Sequence, residues 1–415
     1  MRSTMCSEVF RVRRFGRRRA SAAVLCAALL VTAMLELAAS GAPFVPSDSR
    51  QVLERLPPRT GREWQAIASL RAELAREPRS APIAAELAQR YLELFRAEGE
   101  PRLVAYAQSA LAPWRDERDP PLEIAQRRAE IAQSEHRFDD ALADLKRVIE
   151  RDPRSVSARL TVASIDLVRA DYDASRRECA RLVLLADAAV AGACSSAVRA
   201  MTGEAGGAYQ YLTRLLAEPE ALPPELRVWI ETLAAETAEA IGAWHNAEAH
   251  YRAALAAASA MGEGDRPSVY LLAAYADFLL RAHRPADALA LLKDAPPADP
   301  LALRIAVAEK QLGRVDAARV ESLSYRLQLA LDGLDSTHAR EAAYFALYVL
   351  DKPELAMKRS LANWNVQREP IDARLVLESA LAAHRAADAR PVLDWLAASG
   401  CEHVDLQQLE RRLGS

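Results

Sequence analysis

The chain has 415 residues, 51% hydrophobic and 27% charged, with a net charge of −3 and only 15 glycines. That length suits two or three globular domains or one extended array. Little glycine beside abundant Ala, Leu, Arg and Glu is a helical composition, and it argues against a β-sandwich, a collagen-like chain or a disulfide-dense miniprotein. Only 5 of the 54 basic residues are Lys, so the arginine excess reads as coding bias rather than phosphate recognition.

The first 42 residues stand apart. Arg2, Arg11, Arg13, Arg14, Arg17, Arg18 and Arg19 precede an apolar run from Ala20 to Leu35, and Glu36 and the small residues Ala38-Ala39-Ser40-Gly41-Ala42 follow. A basic start, a short apolar core and small residues make the layout of an export signal. Extension through Ala42 would approach the roughly 20 residues of a membrane anchor, so cleaved and uncleaved forms both stand. In either form the basic end stays in the cytoplasm and the body is exported. The expected location is therefore the periplasm, free or tethered to the inner membrane through residues 20–42. Cys26 follows Val24-Leu25 rather than a small residue, which disfavours lipid modification, and Arg13-Arg14-Phe15-Gly16 lacks the apolar residues of a twin-arginine signal. This segment holds seven basic residues and two acidic ones, Glu8 and Glu36, leaving −8 on the rest. An acidic body disfavours nucleic acid and anionic polymers as partners.

Residues 43–61 read as a linker. Beyond them the helical periodicity falls into repeated units. His136–Pro153 reads HRFDDALADLKRVIERDP, Gly242–Leu255 reads GAWHNAEAHYRAAL, and His283–Pro300 reads HRPADALALLKDAPPADP. Each has a turn residue, an apolar residue two places on, a small Ala three places later, and an apolar or aromatic residue at i+4 from that Ala: Leu145, Tyr251, Leu292. These segments resemble the second helix of the tetratricopeptide repeat, and Leu272-x2-Tyr275-Ala276-x2-Leu279 resembles the first. The small residue lets two helix backbones approach while larger side chains fill the grooves beside it.

The equivalent small positions are Ala141, Ser175, Ala208, Ala247, Ala288, Ala318, Ala356 and Ala389, at spacings of 34, 33, 39, 41, 30, 38 and 33. The family period is about 34. Longer spacings coincide with Glu218–Glu225 and Met261–Pro267, which read as lengthened loops, and the short one weakens the Ala318 unit. The resemblance implies an all-α, right-handed superhelical solenoid of antiparallel helix pairs. Residues 62–121 would form degenerate N-terminal repeats, 122–400 the array, and 401–415 a capping helix and tail, Val404–Leu413 having amphipathic spacing.

In that family the first helices line a concave groove holding a partner's peptide. Mapped by the resemblance, the groove-facing candidates are Gln126, Glu130 and Gln133, then Leu160, Ser164 and Leu167. Trp229, Glu236 and Glu239 follow, then Tyr270, Asp277 and Arg281, and finally Glu341, Phe345, Tyr348, Arg374 and Glu378. Aromatics among a few charges suit peptide hot spots, although Trp229 and Phe345 would be core residues if the register slipped by a turn. Where some family members clamp a C-terminal carboxylate with Lys, Arg and Asn, this chain has mostly Glu, Gln, Ser or apolar residues.

Signs of chemistry are sparse. His136, His283 and His384 occupy the turn position held by Gly203, Gly242 and Gly313 in other units, where a structural role suffices. His245 and His250 are roughly 140° apart around a helix, a poor pair for one metal. Cys401-Glu402-His403 lacks a partner pair at metal-site spacing. No H-E-x-x-H, G-x-S-x-G or G-x-x-x-x-G-K-[ST] motif occurs, Gly203-Glu204-Ala205-Gly206-Gly207 has no strand before it, and Asp139-Asp140 suits a solvated helix face. No cofactor or enzymatic activity is expected. Cys179 and Cys194 would fall on touching helices of adjacent units, where either a disulfide or two buried thiols fit. The expected function is a protein-interaction scaffold of the bacterial envelope. The alternatives are an anchored accessory subunit of a transport, secretion or polysaccharide-export complex, or an enzyme built on the superhelix.

Overall fold

Among the described residues every regular element is helical. The computed structural model describes residues 48, 51–52, 61–217, 222–261 and 266–414, so the expected leader at 1–42, most of the linker and parts of both lengthened loops lie outside it. The chain divides into Met1–Arg59 and Thr60–Ser415, and all the described helices belong to the second unit. None of them is long and apolar enough to cross a membrane.

Helix α1 (Arg62–Arg76) leads into a first pair, α2 (Ala81–Glu98) and α3 (Pro101–Ala110). Next come α4 (Leu122–Ser134) with α5 (Phe138–Arg151), α6 (Val156–Val168) with α7 (Tyr172–Leu182), and α8 (Ala188–Met201) with α9 (Ala205–Leu216). The middle pairs are α10 (Pro224–Ala240) with α11 (Trp244–Ser259), and α12 (Val269–Arg281) with α13 (Pro285–Leu291). Helix α14 (Asp299–Gln311) pairs with α15 (Ala317–Arg326), which a short α16 (Gln328–Asp332) follows. The last pairs are α17 (Ala339–Tyr348) with α18 (Pro353–Trp364), and α19 (Pro370–Ala382) with α20 (Arg390–Ser399), before the terminal α21 (Val404–Leu413). The fold is an all-α solenoid of tetratricopeptide-type helix pairs.

One backbone device makes each pair. The residue between its helices takes a left-handed conformation: Gly99, His136, Ala170, Gly203, Gly242, His283, Gly313, Asp351 and His384, with φ between 53° and 80°. That geometry ends the first helix and reverses the chain. In most units the next N–H bonds back five residues, as Arg137 N does to Ala132 O at 2.8 Å and Arg284 N to Leu279 O at 2.9 Å. The histidines of the sequence pattern therefore stand where glycine is the natural occupant. Ala170 and Asp351 fill the same place without a sequence signal.

Five residues beyond each turn the small side chain is sealed. Ala141, Ala208, Ala247, Ala288, Ala356 and Ala389 are 0% exposed. Ser175 Oγ–H, at 1% exposure, donates to Ala163 O of its partner helix at 2.8 Å. Ala318 departs from the pattern and is exposed. In its unit the second helix begins at Ala317, two residues later relative to the turn than Phe138 or Trp244, so the buried row shifts to Leu323 and Leu327.

Most neighbouring first helices pack on one another, as α12 does on α14 and α19 on α21, and most second helices pack on the next first helix. Second helices of neighbouring units make no comparable contact. An array whose first helices are crowded and whose second helices are spread curves with the first helices inside. Helix α21 packs on α19 as the next inner helix.

The curvature brings distant units edge to edge. A Cβ on Gly99 would stand 2.5 Å from the Ala298 Cβ and 3.2 Å from Val269 Cγ2. Arg368 N–H donates to Val168 O at 2.7 Å. Trp395 Nε1–H donates to Tyr172 Oη at 2.8 Å across 223 residues, and Ala205 N–H donates to Glu402 Oε2 at 3.2 Å across 197. Turns inside early pairs therefore abut loops between late pairs, forming a seam along which successive coils touch.

Candidate partner-binding surface

The inner face carries most of the sequence-derived candidates, and a charged network ties many of them together. Glu239, 4% exposed, accepts from Tyr251 Oη at 2.6 Å and pairs with Arg281. Arg281 and Arg374 both face Asp405 at the start of α21, at 3.7 and 2.9 Å. Glu378 accepts from Tyr348 Oη at 2.8 Å and lies 3.8 Å from Arg374. Asp277, 8% exposed, holds Arg304 at 2.6 and 3.1 Å and accepts from Tyr344 Oη at 2.8 Å, while the Arg304 guanidinium lies 4.5 Å from the Tyr344 ring centre. Five inner helices, α10, α12, α14, α19 and α21, are thereby tied by ion pairs with little exposure, where each partner stabilises the other against desolvation, and α17 joins them through the hydroxyls of Tyr344 and Tyr348.

These contacts remove several candidates from any open groove. Glu239, Asp277 and Gln126 are buried, and Gln126 Nε2–H donates to Glu130 Oε1 at 2.9 Å. Glu130 also pairs with Arg127 at 2.9 Å. Phe345 is 0% exposed inside the largest apolar cluster, so the one-turn ambiguity of the sequence resolves it into the core. Leu160 and Leu167 pack beside Cys179, Leu182 and Cys194, and Trp229 packs beside Leu212 and Ile230. Ser164 Oγ–H donates to Leu160 O at 2.9 Å. Gln133 is half-buried.

Open contact surface centres on Tyr270, which is 56% exposed and donates to Glu236 of the preceding first helix. Burial pushes the Glu236 carboxyl up to about 7, Glu369 reinforces the shift, and the Tyr270 hydrogen bond opposes it. Arg340 and Glu369 also act on Tyr270. Arg340, Glu341 and Glu369 reach His136 as well, whose proton affinity is lowered chiefly by burial. Charged side chains of α17 and the start of α19 thus act electrostatically on Tyr270 and on His136.

Sequence reading missed much of the supporting shell. Asp372 is 1% exposed and is held by Arg340 Nε at 2.6 Å and Asn363 Nδ2 at 2.7 Å, while Gln367 Nε2 donates to Asn363 Oδ1 at 2.9 Å. One signal was available: Glu369 and Asp372 form a capping box around Pro370 at the start of α19. The remaining shell residues lie far apart in sequence. Cys179 and Cys194 are joined by a disulfide between α7 and α8, with Cα atoms 5.5 Å apart, and Cys401 is a buried free thiol. His250 lies between Glu231 (Nδ1 to Oε2, 2.7 Å) and Tyr209 (Nε2 to Oη, 3.2 Å). Among the described residues no group of three or more His, Cys, Asp or Glu is placed to hold a metal ion.

No protein-family model matches the chain, and no curated protein matches its sequence. Among solved structures it is similar to the Cut9–Hcn1 hetero-tetramer of APC/C, with a TM-score of 0.45 and 11% identity, covering 85% of this chain and 66% of that one. It is also similar to yeast Tom70, with a TM-score of 0.31 and 11% identity, covering 85% and 92%. The fold assignment rests on the helix pairs themselves.

Proposed function

We propose that this chain is a non-enzymatic scaffold of the bacterial envelope that binds a protein or peptide partner on its inner surface. The observation carrying the proposal is Tyr270, a large aromatic left open on an inner helix among Glu236, Arg340 and Glu369. A rigid aromatic with neighbouring charges suits a recognition hot spot. The Cys179–Cys194 disulfide supports export, because such bonds persist in oxidising compartments.

The test places a photo-crosslinking amino acid at position 270 in cells, with position 325 on α15 as the outer control. A discrete protein adduct from 270 and none from 325, lost when Glu236 becomes Ala, supports the inner surface. Adducts from 325 alone would move the interaction to the outside. N-terminal sequencing of the mature protein separates the two topologies: a start near Gly41–Pro43 means a free periplasmic scaffold, and a retained residue 1 means an anchored subunit.

A further inference from the structure

The seam contains a cleft that packing alone does not use up. It has a volume of about 510 Å³ and lies between the start of α7, the end of α18 and the length of α20. Its aromatic wall is Tyr172, Trp364 and Trp395, with the two indoles edge to face at 5.3 Å and the Trp395 N–H committed to Tyr172. Four polar side chains border that wall, of which Ser399 accepts from Cys401 N–H at 3.3 Å. Asp394 is neutralised by Arg390 at 2.6 Å. Arg368 uses Nε on Trp364 O at 3.3 Å and its backbone N–H on Val168 O, while its two terminal nitrogens meet no partner among the described residues. The exposed Asn365 amide is likewise uncommitted.

We propose that this cleft binds a carboxylate carried on an apolar group. A guanidinium with both terminal nitrogens free presents a two-pronged donor matched to a planar carboxylate. Asn365 adds a donor beside it, and the Tyr–Trp wall receives the apolar body; a few convergent polar groups in a largely apolar cleft of this size are the usual make-up of a small-ligand site. One uncommitted cation favours a monoanion over a phosphate dianion, because a single guanidinium leaves a second negative charge without a partner. The site is built from second helices and seam loops, so it stands independently of the inner-surface reading.

The full chain is titrated calorimetrically with N-acetyl-leucyl-phenylalanine, its C-terminal amide and 4-phenylbutyrate. The free peptide acid is expected to bind and the amide to bind at least tenfold more weakly. Arg368→Gln should lose at least tenfold in affinity at an unchanged melting temperature, since its backbone bond to Val168 survives the change; Asn365→Ala should lose a few-fold. Phenylbutyrate matching the peptide acid would identify a free small acid as sufficient, and binding by the peptide acid alone would identify a chain end. Equal binding of acid and amide, wild-type affinity in Arg368→Gln, or no binding of any probe overturns the proposal.

Discussion

A left-handed backbone conformation costs a non-glycine residue about 1 kcal/mol or more, and five such residues sit in the turns of this array, three of them histidines. His283 and His384 are exposed and, among the described residues, make no side-chain bond that would offset the cost. His283→Gly and His384→Gly should each raise unfolding stability by about 0.5–1 kcal/mol, measured by denaturant titration. Asp166 is a second site of local cost. Burial pushes its carboxyl up to about 6, with Asp171 and Glu178 adding to the shift. Because the folded chain holds this proton more tightly than the unfolded one, stability declines as pH rises from about 3.8 to about 6 and stays reduced above that. Asp166→Asn should match the wild type at pH 3.5 and exceed it by about 1–2 kcal/mol at pH 7.5, read from melts across that range.

At the scale of elements, the disulfide fastens α7 to α8 across a unit boundary with a sequence separation of 15. Chain-entropy arguments give a loop of that size about 3 kcal/mol, so reduction or Cys194→Ala should lower denaturant stability by about that amount. Element positions were legible in the sequence because close packing writes itself into spacing: a small residue must recur wherever two backbones approach, and seven of the eight proposed positions are sealed. The eighth, Ala318, was misread because two extra turn residues before α15 shift its buried face, and the local alanines look alike in either register. Ala170 gave no warning of its turn, since alanine carries no left-handed preference, and Asp351 stands where other units have glycine or histidine, one acidic residue among many in the sequence. Phe345 shows the complementary limit: on a first helix, one turn separates the inner surface from the core, and hydrophobicity alone favours neither.

For the whole molecule, the seam decides how open the inner surface is, and nothing in the sequence announces it. Part of it is made by side chains, Trp395 on Tyr172 and Glu402 on Ala205 N–H, and the rest by backbone groups and glycines, as at Gly203 with Gly400 O, 3.3 Å from a would-be Cβ. The backbone and glycine contacts need no distinctive side chain, and all of these contacts join residues about two hundred positions apart. Gly99→Ala tests the seam directly, because its new methyl would meet Ala298 Cβ at 2.5 Å. The substitution should cost about 2 kcal/mol or more and enlarge the radius of gyration in small-angle scattering. Gly313→Ala, with a similar φ of 69° but nothing within 4 Å of the added atom, should cost about 1 kcal/mol and leave the radius unchanged.

Most repeat arrays mature strictly from neighbour to neighbour, each unit complete once the next is in place. Here Tyr172 waits for Trp395 and Ala205 for Glu402, so the early coil stays unfinished until the last forty residues have been delivered. Contacts of such long sequence separation make assembly slower than the short helices alone would allow.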